Sequence, residues 1–183
     1  MSISIWTRAS PRRKRILSVI AVLIVAIIIT VIGSFTPISQ QDAQNITKDL
    51  NQTVTTGREQ GTLAPYIFGN NLFICLLMFV PIIGPIAGLF ILYTTGTVVG
   101  AIAISGGYSP ALALVALFIT PVAWLEFAAY STAMAESVWL FRRLLQGRGI
   151  PELRKNTVLF ITIAVVLLAV GAIVETALIN FAG

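Results

Sequence analysis

Apolar positions dominate the chain in runs long enough to cross a membrane, and polar stretches between them are few. From Ile16 to Ile32 every residue is apolar except Ser18 and Thr30, and no charge appears before Asp42. At ~1.5 Å per residue, residues 16–37 reach across the roughly 30 Å of a bilayer core. A basic stretch followed by an apolar one also describes a signal peptide. Here, however, the apolar run is 17 residues long and no A-x-A cleavage pattern follows it. We read an uncleaved first span. Residues 38–65 are polar, with Ile46, Leu50 and Val54 at helical spacing forming one apolar stripe. That pattern predicts an amphipathic helix lying at the external surface. Two sequons, at Asn45 and Asn51, favour the same location.

No charge occurs between Glu59 and Glu126. Pro81 and Pro85 flank Gly84 and break this tract, since helix interiors disfavour such residues. The expectation is a second span over 66–80, a tight turn and a third span over 86–104. Ser105 to Pro110 reads as a loop. Residues 111–119 are too few to cross alone, so they form a half-helix leading through Thr120-Pro121 into a fourth span over 122–141. A basic loop over 142–156 precedes the last span, 157–181. The fold class is all-α: a polytopic membrane helical bundle of about five transmembrane helices, with a Pro-broken half-helix before the fourth. Residues 1–183 form a single integral membrane domain.

Composition agrees with this pattern. Of 183 residues, 57% are hydrophobic and 10% charged, against about 45–50% and about 25% in an ordinary soluble domain. A chain this short cannot hide so much apolar surface in one core, which excludes a soluble enzyme and a disordered protein. The chain has no His and one Cys, Cys75. An intrachain disulfide, a zinc site of the His or Cys kind, and Ser-His-Asp or Cys-His catalysis are thereby excluded. No cofactor is implied.

The net charge of +5 does not point to nucleic acid, because ten of the twelve basic residues fall in two clusters beside apolar spans. Such clusters set topology and touch lipid headgroups; Arg12, Arg13, Lys14, Arg15, Arg142 and Arg143 are the residues expected to do so. With five spans, residues 1–15 and 142–156 share one side and only Lys48 and Arg58 lie on the other. Six spans would split the basic residues five against seven. The expected protein is therefore a multi-pass plasma-membrane protein with a cytoplasmic N-terminus and an external C-terminus.

Carboxylates inside a membrane cost roughly 2.5–3.5 kcal/mol each on insertion scales and need a reason. Glu136 lies near the cytoplasmic end, with Arg143 seven residues on and on the same helical face, so a structural ion pair or snorkelling is the simplest account. Glu126 and Glu175 lie in the outer half of their spans, at a depth shared with Asn70 and Asn71. These four side chains are the candidate intramembrane polar site. They are polar glue between helices, an ion- or proton-responsive site beside a broken helix, or a pocket for a lipid or partner helix. Gly84-x-x-x-Gly88 and Gly96-x-x-x-Gly100 allow close helix approach, within the bundle or at an interface with a second copy or another membrane protein. Cys75, with no basic neighbour, reads as an inert buried thiol.

Tyr66-Ile-Phe-Gly-Asn-Asn-Leu72, followed by Tyr93-Thr-Thr-Gly96 and Gly100, resembles the stage II sporulation protein M family. That family's P-H-G-x-x-E signature is matched by Pro121-Val-Ala-Trp-Leu-Glu126, with Val122 and Ala123 in place of the His and Gly. Any role resting on that His does not carry over. A Glu in the last span, Glu175 here, also fits. The resemblance covers about residues 60–180 and implies a membrane bundle acting beside envelope-remodelling partners. The expected function is thus a non-enzymatic membrane protein that scaffolds or assists an envelope complex, with the bilayer and other membrane proteins as partners and its ligand unknown. The other possibility is a small oligomeric transporter or channel component using Glu126 and Glu175.

Overall fold

Ser10 opens the first helix by accepting a hydrogen bond from the Arg13 amide at 3.4 Å, with Pro11 at the first helical position. This helix, α1 (Pro11–Ser34), is followed by α2 (Gln40–Glu59), α3 (Leu63–Met78), α4 (Ile83–Gly106), α5 (Pro110–Ile119), α6 (Pro121–Leu145) and α7 (Ile150–Ala182). The computed structural model describes residues 10–147 and 150–182, and no strand occurs among them. Arg8 and Arg148 lie outside the described residues, as do the side chains of Arg12, Arg154 and Lys155.

Ile16, Ile20, Ile24, Ile28 and Ile32 recur every four residues on α1 and are about half exposed, a stripe left for lipid. The opposite face is small: Ala26, Thr30 and Ser34 are buried. It lies along a matching stripe on α4, where Gly84, Gly88, Leu92, Gly96 and Gly100 are buried at the same four-residue interval. A Cβ on Gly96 would run into the Thr30 carbonyl, one on Gly100 into the Ser34 carbonyl, and one on Gly33 into the Tyr93 carbonyl. The two backbones therefore touch. Gly84 abuts the Met78 carbonyl and Ser137, and Gly88 abuts the Met134 side chain. Both G-x-x-x-G pairs are used inside the bundle.

The α3–α4 turn is tight. Ile82 has φ 71° and ψ −56°, and the Ile83 amide donates to the Pro81 carbonyl at 2.9 Å. Together these make a γ-turn of the rarer, positive-φ kind. Ser137 Oγ donates to the Val80 carbonyl at 2.6 Å and fastens the turn to α6.

The half-helix is present as α5, capped by Ser109. Thr120 is extended, as the residue before a proline prefers to be, and α5 and α6 meet at 84°. Trp124 Nε1 donates to the Phe118 carbonyl at 2.8 Å, and the Phe118 ring stands 5.7 Å from that of Trp124 and 5.5 Å from that of Phe127. This aromatic corner fixes the bend. Beyond it α6 is the most enclosed helix, with every residue from Ala129 to Ser137 buried. A helix surrounded by protein need not be apolar all round, so α6 can carry two Glu, two Ser and a Thr.

By length and composition α1, α4 and α7 can each cross a membrane, and α5 with α6 makes a fourth, bent span. The expected second span is α3, but its 16 residues cover only about 24 Å. It is an apolar helix shorter than the four spans. Two expected boundaries move. The basic segment 142–156 is not an extended loop, because α6 runs to Leu145 and α7 begins at Ile150; Arg, Lys and Leu are good helix formers and carry both helices past the apolar core. The stripe expected on α2 also shifts. Leu50 stays exposed, while Ala43 and Gly57 are buried.

Candidate functional site

Two polar sites lie on α6, ten residues apart in sequence at Glu126 and Glu136. The first begins at the second turn of α6, where the 84° corner leaves Glu126 facing α3 and α7. Asn71 Nδ2 donates to Glu126 Oε1. The stem of Glu126 lies over Gly171 of α7, where an added Cβ would come within 4.0 Å of its Cγ. Glu175 stands one turn further along that face of α7 and is within electrostatic range of Glu126. It makes no hydrogen bond to the other three candidates among the described residues. Asn70 is exposed and donates to Asn71 Oδ1 at 3.3 Å, so it joins the cluster only through its neighbour. Asn71, Glu126 and Glu175 are all partly buried. A bonded pair, a second carboxylate close by and an outlying amide thus replace a four-way contact.

The same end of the bundle is covered by α2. Its Arg58 donates to the Asn180 carbonyl at 3.2 Å, satisfying one of the free carbonyls at the end of α7. At its other end Gln40 reaches the Ile104 carbonyl at 3.4 Å. Among the described residues no group of three acidic, His or Cys side chains could hold a metal ion. Cys75 is buried, with its Sγ 3.9 Å from the Ala129 carbonyl.

The second site corrects the expected ion pair. Glu136 pairs with Arg15 of α1 at 3.0 Å, not with Arg143. Residues seven apart share a helical face but stand about 10 Å apart along the axis, so a partner on a neighbouring helix wins. Thr157 of α7 donates to the other oxygen of Glu136 at 3.1 Å. Arg15 also lies over the Trp139 and Phe160 rings at 5.8 and 5.3 Å. Arg15, grouped in the sequence with the headgroup-contacting residues, is engaged inside the bundle. The sequence did carry one signal of this: Arg15 is the last charge before the apolar run of α1, and Glu136 needed a partner.

These features define a polytopic helical membrane protein whose most buried helix is anchored to its neighbours at both ends through carboxylates. A family model for stage II sporulation protein M matches residues 17–178. The chain belongs to that family. No curated protein and no solved structure matches it.

Proposed function

We propose that the chain is a non-enzymatic membrane subunit that scaffolds or assists an envelope complex, using helix–helix contacts and the polar surface at its outer end. The observation that carries this reading is the mounting of α2. A 20-residue polar helix is held across the end of the bundle by Arg58 and Gln40, yet Asn45, Lys48, Asp49, Gln52, Thr53 and Thr56 remain exposed. Holding a helix in place without covering its polar face suits recognition of a partner outside the bilayer. Within this reading the Asn71–Glu126 bond ties α3 to α6 and the packing of Glu126 over Gly171 adds α7, which keeps the platform stiff. The non-enzymatic part rests on a sequence without His and with its one thiol buried. We take the N-terminus as cytoplasmic and the C-terminus as external from the distribution of basic residues.

Two carboxylates within range of each other beside a broken helix also suit a small oligomeric transporter or channel component. One experiment separates the two readings. The purified protein is reconstituted into vesicles loaded with a pH-sensitive dye, and a pH or cation gradient is applied. The scaffold reading expects no flux above protein-free vesicles. It also expects a photo-crosslinker at Thr53 to capture, in the native membrane, one discrete partner that a crosslinker at lipid-facing Ile24 does not. Flux abolished by Glu126→Gln and by Glu175→Gln would reverse the order of the two readings.

A further inference from the structure

The corner between α2 and α3 holds an open polar cleft of about 500 Å³, within the ~300–1,000 Å³ of ordinary small-molecule sites. One wall is a single stripe of α2, where Asp49, Gln52, Thr56 and Gln60 recur at three- and four-residue spacing. The other wall is the start of α3, with Thr62 and Tyr66. Backbone contacts set the two walls. The Thr62 amide donates to the Gly57 carbonyl at 2.8 Å, and Gly61 turns the chain at φ 65°. Gly57 also lines the cleft and is buried; a Cβ there would stand 3.3 Å from Leu63 Cα, so the helices meet closely at this point.

The lining selects among ligands. Among the described residues Asp49 carries its only charge, and the two cations of α2, Lys48 and Arg58, lie outside it. An anion therefore finds no counter-charge. A metal ion finds one carboxylate where it takes six or more oxygens at ~2.0–2.6 Å. A hydrocarbon chain meets polar walls, and a peptide strand meets helices whose backbone groups are already bonded to one another. What the cleft offers is a carboxylate, two primary amides, two hydroxyls and a phenol. None of these six side chains makes a hydrogen bond to another described residue. Tyr66 is 55% exposed and presents an aromatic face. A sugar matches this set, because each hydroxyl both donates and accepts and the C–H face of its ring packs on an aromatic plane.

We infer that this cleft binds a short neutral oligosaccharide, held by Asp49 and by the Gln52 and Gln60 amides and stacked on Tyr66. The inference deepens the scaffold reading, on which it rests for the external position of the cleft: what α2 recognises outside the bilayer carries a sugar chain.

The test is saturation-transfer NMR on the full chain in lauryldimethylamine oxide, a detergent without a sugar head. Cellotriose, triacetylchitotriose and trigalacturonate are titrated separately. The expected result is saturable binding of a neutral trisaccharide and none of trigalacturonate, whose carboxylates meet Asp49. Asp49→Asn weakens the neutral sugar by roughly tenfold, as loss of a charge-assisted hydrogen bond does. Tyr66→Ala weakens it by about fivefold and Tyr66→Phe does not, since the ring face makes the contact. Both positions are exposed, so neither substitution opens the core. Ile24→Ala, on the lipid side of α1, leaves binding unchanged. Absence of binding by both neutral trisaccharides overturns the inference. So does equal binding of trigalacturonate, or neutral-sugar binding that survives both Asp49→Asn and Tyr66→Ala. A discrete protein captured at Thr53 while no sugar binds strikes the cleft and leaves the scaffold standing. Sugar binding without a captured protein strikes the scaffold and keeps the cleft.

Discussion

Glu136 is 2% exposed and Arg15 14%, so each depends on the other to remain charged inside the bundle. Removing one partner of such a pair costs roughly 3–5 kcal/mol, because the survivor is left buried and unanswered, whereas replacing both with apolar residues is often neutral. Arg15→Gln is therefore expected to lower the unfolding midpoint in detergent by that order. Arg15→Met combined with Glu136→Leu is expected to recover most of the loss. A double variant as unstable as the single would show that the cation–π and Thr157 contacts carry the stability. From sequence the partner was misassigned to Arg143, since only spacing along one helix is visible there and the crossing of α1 over α6 is not. Ile82 was equally invisible. Its positive φ is unfavourable for a β-branched residue by about 1–2 kcal/mol, and nothing but Gly84's need to approach the Met78 carbonyl hints at so sharp a turn. Ile82→Gly is expected to raise the midpoint, as the side chain is 55% exposed and little packing is lost; a lowered midpoint would mean the turn holds without strain.

At the level of helices, the sequence was most readable where backbone chemistry acts alone. Pro110, Pro121 and the short run between them announced α5 and its break, because the residue before a proline disfavours the helical conformation. Polarity on α6 was harder to interpret, since its enclosure comes from neighbours and not from its own pattern. The glycine pairs were legible as contacts, but Gly33 was missed. It lacks a second glycine four residues away, and only the α4 stripe reveals that α1 needs a small residue there. Glycines in this bundle fall into two kinds, and one pair of variants distinguishes them. Gly96→Ala forces a Cβ against the Thr30 carbonyl and is expected to cost at least about 1–3 kcal/mol through overpacking. Gly69→Ala meets nothing within 4 Å and is expected to stabilise α3 by about 0.5–1 kcal/mol. Paired unfolding curves check both signs. Equal effects would mean that α1 and α4 separate easily.

For the molecule as a whole, the Arg15–Glu136 pair fixes one relation whichever way the protein is inserted: the start of α1 and the end of α6 lie at the same end of the bundle, opposite α2. On a Cys75→Ser background, Gln146→Cys and Asn51→Cys are thus expected to react with a membrane-impermeant maleimide from opposite sides. Under the proposed orientation, position 51 is the one labelled from outside. Labelling of both from one side would break the bundle described here. Depth at the outer end is the remaining question, because the two carboxylates were placed together from helix boundaries alone and the bundle brings them near without bonding them. Glu126 leans on Gly171, one turn from Glu175, so cysteines at both positions (Glu126→Cys with Glu175→Cys) are expected to form a disulfide efficiently in membranes. Under the scaffold reading neither single variant reacts with external maleimide, since Glu126 is held by Asn71 and packed over Gly171. A disulfide with maleimide reactivity would mean that water reaches both groups, which an ion-coupled site requires and a structural tie does not. Failure to cross-link would separate Glu175 from the site and leave Asn71–Glu126 as a local link between α3 and α6.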